Sequence, residues 1–558
     1  MFTRSLILVA LALTLALPFA LRPPSEVAVS GAQADDTLVI ISPHNEAIRY
    51  EFGRAFRSWY YKRTGRSIVV DWRAIGGTSE ITRFIESEYL TAFQNHWTKA
   101  LGRPWSAEVQ AAFANPQFDG GDESVSNEAF EGEAKNGSAT RVEARRAFLA
   151  SEVSCGIDLF FGGGAYDFIR QAAAGRLVPS RIFQTHPQWF TDEVVPEHYA
   201  GEPYWDAQGR WIGVVLGGYG ILYNKDALAR LGVEQPPQQW ADLCDPRFFR
   251  EAALCDPTKS GSIAKAFENL IQQQMQERLA ELSRASDTGV SSEALEARAV
   301  REGWEAGLRI IQLMGANARY FTDSAQKPPI DVSQGDSAVG ICIDFYGRYQ
   351  AEATTRRDNT GRLVYVSPRG GSVSSADPIG LLRGAPHREA AELFIEFTLS
   401  MEGQKLWNFK VGAEGGPSRF ALRRSPIRRD FYAREDWRSL RSDPDTLPYV
   451  EEGALIYNAA WTGSLFRELA FAIRVMCLDT HDELVAAWRE IIAAGVPEDA
   501  LAILQELSLL NYERASGEIR AALRSKNRAD ELRLARELGG QLRAQYARAA
   551  EIARANRQ

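Results

Sequence analysis

Hydrophobic residues gather in a short run at 37–42, and beyond Pro43-His44-Asn45 the apolar positions Ile48, Phe52, Phe56 and Trp59 change to helical spacing. The change repeats twice. A second run at 68–72 leads through Gly76-Gly77-Thr78-Ser79-Glu80 to Ile81, Phe84 and Ile85 on one helical face. A third at 157–161 ends in Gly162-Gly163-Gly164 and feeds a helix expected over 166–174. Strand, loop and helix in series predict a mainly parallel sheet covered by helices, with the loops at the strand carboxyl ends lining a crevice.

Between the second and third units, residues 115–145 are rich in Gly, Ser, Asn and acidic side chains and read as an insertion, a mobile surface loop first and a functional lid second. The run from Ile212 to Asn224 is long enough to be one extended strand passing from one body to another. A second α/β unit follows, with Asp256-Pro257-Thr258-Lys259-Ser260-Gly261-Ser262 at its centre, helical spacing over 263–314 and a strand candidate at 338–343. Residues 363–366 and 374–382 supply a return path, so two crossings form a hinge. The expected division is one lobe from 35–212 plus 366–430, carrying an insertion at about 91–150, and a second lobe at 213–365. Residues 431–558 form a helical extension whose Leu534, Leu538 and Leu542 stripe is expected to pack on the protein's own surface.

Of the 558 residues, 45% are hydrophobic and 24% charged, as in an ordinary soluble globular protein, and the net charge of -8 argues against a nucleic-acid partner. Residues 1–34 hold Arg4, an apolar run at 6–21 and Ala32-Gln33-Ala34, the marks of a signal peptide or an N-terminal anchor. Five cysteines make no disulfide framework, although Cys244 and Cys255 could pair; no zinc spacing occurs, and no cofactor is expected. The 256–262 segment is chemically the most telling. Pro257 discourages regular structure, Gly261 lets the backbone approach a guest, and Ser260 and Ser262 can cap a helix whose free N–H groups attract an anion. The same residues also suit an ordinary N-cap.

In this order, Ser42-Pro43-His44-Asn45-Glu46, Gly76 to Glu80, Asp158 to Gly164, Asp256 to Ser262 and Gly335-Asp336-Ser337-Ala338-Val339-Gly340, with the helix from Ala390 to Gln404, resemble the periplasmic substrate-binding proteins of ABC importers. The similarity is to the large family with ferric-ion, phosphonate and sugar-phosphate binders, and spans residues 37–430. It implies a two-lobed α/β clamshell of the type II periplasmic-binding fold without catalysis. Its partners would be a small solute and an ABC permease in the inner membrane, and its location periplasmic.

Ferric binders of the family use a histidine, a glutamate and two adjacent tyrosines. His44 and Glu80 match the first two, but the tyrosine pair falls on Phe345 and Tyr346, and a phenyl ring offers a hard cation no oxygen. Iron, held by His44, Glu80 and Tyr346, is therefore the second reading. The first is an anionic solute bound by Thr78 and Ser79 at one helix start and Ser260, Gly261 and Ser262 at another, with Asn45, Gly163 and Gly164 in neighbouring loops. Asp344 would meet a ligand ammonium or hydroxyl or pair with Arg348, and Tyr219 would stack on the guest or fill the hinge. An exported hydrolase lacks support, since neither Gly-x-Ser-x-Gly nor His-Glu-x-x-His occurs. A membrane-tethered sensor that contacts a partner through its terminal helices is the remaining alternative.

Overall fold

The structure, a computed structural model, describes residues 34–119, 135–285, 290–355, 360–450, 454–525 and 527–557. The expected signal peptide or anchor lies outside them but for Ala34, and among the described residues no helix is long and apolar enough to cross a membrane.

Three parallel strands begin the first sheet: β1 (Asp36–Ile41) lies between β2 (Ile68–Arg73) and β3 (Leu159–Phe161). After β4 (Leu177–Val178) and a small hairpin, β5 (His198–Tyr199) with β6 (Glu202–Pro203), comes β7 (Ile212–Gly217). The chain then breaks at Gly218 and enters the second sheet with β8 (Tyr219–Asn224), followed by β9 (Ala252–Cys255), β10 (Ala318–Thr322), β11 (Val339–Ile343) and β12 (Leu363–Val366). It returns through β13 (Ser375–Leu382), and β14 (Ser425–Pro426) closes the first sheet. The strand orders are β14-β7-β13-β3-β1-β2, with β4 beside β13, and β10-β9-β11-β8-β12.

The molecule is thus two α/β lobes joined by two crossings. The chain leaves the first sheet after Gly217, beyond the expected junction at residue 212. The mainly parallel sheet is corrected as well: β13 runs antiparallel to β3 and β7, and β8 antiparallel to β11 and β12. A strand arriving from the other lobe enters its sheet from the opposite end, so the crossing strands reverse the local direction.

One further expectation fails on packing. Residues 135–150 are not loop but the helix Lys135–Ala150, on which Phe148 meets Phe93 and Phe113 at ring-centroid distances of 5.4 and 5.1 Å. Arg145, 2% exposed, ties this layer to the first lobe by donating to the carbonyls of Ala173 and Ala174 at 2.8 and 2.6 Å. The tail packs on the protein itself, as its leucine stripe leads one to expect. Its helices Phe466–Ile473, His481–Ala493, Glu498–Leu504 and Arg528–Asn556 share one hydrophobic core with helices Gly261–Ala285 and Ser292–Asn317 of the second lobe. Trp304 Nε1 donates to Leu510 O at 2.9 Å, Trp488 Nε1 to Asn317 Oδ1 at 2.8 Å and Gln312 Nε2 to the Tyr546 hydroxyl at 3.2 Å. Leu534, Leu538 and Leu542 are buried there. All five cysteines are free, so Cys244 and Cys255 do not pair.

Candidate functional site

A cavity of about 480 Å³ lies between the lobes, walled by the carboxyl-end loops of both sheets and by the crossing strands. On the first-lobe side the helix Thr78–Asn95 begins at Gly77, whose N–H donates to Glu80 Oε2 at 3.2 Å. Gly76 turns the chain at φ 144°, a conformation that a side chain would strain. On the second-lobe side the Asp256 carboxylate accepts from Thr258 N and Oγ1, both at 2.7 Å, and this turn delivers Ser260 to the start of helix Gly261–Ala285. The two starts meet: a Cβ on Gly77 would stand 2.6 Å from Lys259 O, across the lobe boundary.

Of the residues expected from sequence, His44, Asn45, Thr78, Glu80, Gly163, Tyr219, Ser260, Ser262 and Tyr346 line this cavity. Four do not. Ser79 points into a second cavity, because its position on the helix turns it away from Thr78. Gly164 is the N-cap of helix Ala165–Ala173, and Gly261 is packed with its Cβ position 3.3 Å from Asp167 Oδ2. Asp344 faces away as well, 3.3 Å from Arg348 Nη1, which selects the ion-pair reading over a ligand ammonium or hydroxyl. Tyr219 serves the hinge: it is 6% exposed and its hydroxyl lies 3.3 Å from Ser375 Oγ on the returning crossing. Asn45 caps the helix Glu46–Thr64 by accepting from Ile48 N at 3.0 Å.

The floor holds a charged cluster that the sequence reading missed. Asp377 Oδ2 pairs with Arg424 Nη1 and lies 3.3 Å from His44 Nε2, while Asp377 Oδ1 accepts the Gly163 amide. Burial would raise the Asp377 pKa, but the Arg424 guanidinium and the His44 ring outweigh it and hold the carboxyl at about 2. Burial lowers the pKa of His44 against the pull of Asp377, so the imidazole is neutral at pH 7, with Nδ1 left without a hydrogen-bond partner. Gly162, at φ 97°, sits so close that a Cβ would be 2.6 Å from His44 Cε1. The Arg424 guanidinium lies 4.4 Å over the Phe345 ring, so the residue at the position of a missing tyrosine is a platform for a cation. A signal for Asp377 existed, a carboxylate inside an apolar strand run next to Pro378; Arg424, in an arginine-rich loop, gave none.

At the rim stand Lys259, Lys327, Arg49, Glu46 and Asp323, of which Lys327 and Asp323 pair at 2.7 Å. Among the described residues no group of three or more His, Cys, Asp or Glu side chains is arranged to hold a metal ion. The cavity can enclose a small molecule, offer it main-chain amides and hydroxyls from two helix starts, and surround it with both signs of charge.

Residues 156–413 match the family described as bacterial extracellular solute-binding protein. An uncharacterized protein of Haemophilus influenzae is 25% identical over 250 residues, 45% of this chain and 60% of that protein. A phosphoglycerate transport regulatory protein of Salmonella typhimurium is 22% identical over 195 residues, 35% of this chain and 40% of its own length. The chain therefore spans about 60% and 40% of the lengths of these two relatives. Among solved structures, the periplasmic binding protein AfuA from Actinobacillus pleuropneumoniae with fructose-6-phosphate superposes at TM-score 0.42 and 17% identity, covering 67% of this chain and 82% of that one. The iron-bound HitA from Pseudomonas aeruginosa gives 0.42 and 15%, covering 78% and 99%. The segment that carries both crossings and the 256–262 loop is thus similar to the bacterial extracellular solute-binding proteins.

Proposed function

We propose that the chain is the solute-capturing component of an ABC importer. It takes a small solute with a phosphate, phosphonate or carboxylate group into the interlobe cavity and hands it to a membrane permease, without chemical change. The observation that carries this reading is the meeting of two helix starts from opposite lobes, at Thr78 and at Ser260 and Ser262, on one cavity. Each helix start favours an anion by about 0.3–1 kcal/mol, and a solute touching both lobes stabilises only the closed arrangement. Driving a clamshell from mostly open to mostly closed takes about 5.5 kcal/mol of differential affinity, within the roughly 8 kcal/mol of a micromolar ligand. The phosphoglycerate named for the Salmonella relative supports a phosphate-bearing guest, and the word regulatory in the same name favours, as a second reading, a sensor that uses this capture step to signal.

Iron fits these residues less well. His44 Nε2 is engaged by Asp377, the Arg424 cation stands beside it at 3.3 Å, and Phe345 lacks an oxygen. Native mass spectrometry of freshly purified protein, followed by calorimetry with 3-phosphoglycerate and inorganic phosphate, tests the proposal. A co-purified anion, or saturable binding weakened by Ser260→Ala and Ser262→Ala, is expected. Iron in the native spectrum, with no anion bound in either measurement, would overturn it.

A further inference from the structure

A second cavity, of about 920 Å³, opens on the far side of the 256–260 loop, and Lys259 lines both cavities. Its walls come from helices Thr78–Asn95 and Ala165–Ala173 of the first lobe, from that loop of the second, and from the tail between residues 466 and 531. Tyr166 of the first lobe stacks on Phe466 of the tail with centroids 4.4 Å apart, an apolar patch in the wall that spans the lobe boundary.

Six cationic side chains line this space: Arg83, Arg170, Lys259, Arg467, Arg474 and Arg528. Its four carboxylates are already occupied. Glu86 lies 3.3 Å from Arg176 and 4.0 Å from Arg170, and Glu531 lies 3.3 Å from Arg474. Asp256 is taken up by its own turn at Thr258, and Asp167 is buried against Thr82 and Gly261. Arg83, Arg467 and Arg528 form no ion pair with a described carboxylate; Arg467 reaches only the Leu523 carbonyl, at 3.4 Å. Guanidinium groups converging on a partly enclosed space focus a positive field, and an anion between them removes their mutual repulsion. The volume lies in the range of small-molecule sites, about 300–1,000 Å³.

We propose that this cavity is a second binding site, taking a small polyanion with two or more phosphate or carboxylate groups, held between Arg83 of the first lobe and Arg467 and Arg528 of the tail. The tail is built into the core of the second lobe, so such an anion ties the two lobes together. It therefore raises affinity in the solute cavity, and the solute raises its affinity in return.

Calorimetry with tripolyphosphate and, separately, citrate tests the site in the whole protein. Saturable one-to-one binding of at least one probe is expected, weakened about tenfold or more by Arg467→Ala with Arg528→Ala, and also by Arg83→Ala alone. All three arginines are exposed, so circular-dichroism melting should stay unchanged. Ser262→Ala, which alters only the solute cavity, should leave a clear one-to-one isotherm. No saturable binding of either probe, equal affinity in the arginine variants, or loss of affinity in Ser262→Ala alone would overturn the assignment.

Discussion

Asp377 and Arg424 are withdrawn from water together, and such a pair is held by mutual neutralisation more than by net gain. Arg424→Ala leaves a buried carboxylate without its cation and is expected to destabilise the fold by about 3–5 kcal/mol in urea unfolding. Adding Asp377→Asn should recover much of that loss. Titration of Asp377 has a definite sign: its folded pKa of about 2 lies below the unfolded value, so its contribution is whole above pH ~4 and disappears as pH falls toward 2. Asp167 behaves in the opposite way. Burial raises its pKa to about 6, against which Arg170 and Thr82 pull, so ionising it weakens the fold as pH climbs from ~4 through 6. Asp167→Asn should therefore stabilise the fold at pH 7.5 by at most ~3 kcal/mol, seen as a higher melting temperature, and leave it little changed at pH 4.

Helix starts and strand ends were the elements most legible in the sequence, because their chemistry is local. Gly76-Gly77-Thr78 and Ser260-Gly261-Ser262 announce turns and caps through residues within a few positions of one another, and both loops line the solute cavity. The pairing of Asp377 with Arg424, and the seating of the 135–150 helix through Arg145, depend on partners distant in sequence; beyond the lone carboxylate in its apolar run, neither has a local signal. Glu51 is another such case: buried on helix Glu46–Thr64, it accepts the amides of Ser418, Arg419 and Phe420 at 2.8, 2.6 and 2.9 Å and fixes the loop that leads to Arg424. Glu51→Ala should cost about 3 kcal/mol in thermal or urea unfolding. At the lobe boundary the decisive element is the Gly77 turn. Gly77→Ala places a methyl against Lys259 O and should prevent full closure, seen as a larger radius of gyration by small-angle scattering with solute present and an unchanged melting transition.

For the whole molecule, the two-lobed plan could be read from the long run through Gly218 and its return, since a chain must cross twice to complete both sheets. The tail could not. Its amphipathic stripe announced a buried face but not which surface covers it, and only the assembled core joins Trp304 and Ile311 to Leu538 and Tyr546. Deleting residues 459–558 should therefore unfold the second lobe, giving a chain that binds a hydrophobic dye and lacks a cooperative melt. The Tyr166–Phe466 stack reaches further still. The lobes are fastened at the crossing strands and touch again through these two rings, so the molecule resembles a case with a clasp as well as a spine. Under the proposed function, whatever loosens that clasp would set how quickly the contents can leave, and a fluorophore on either ring's helix would register each opening without touching the compartment between the lobes.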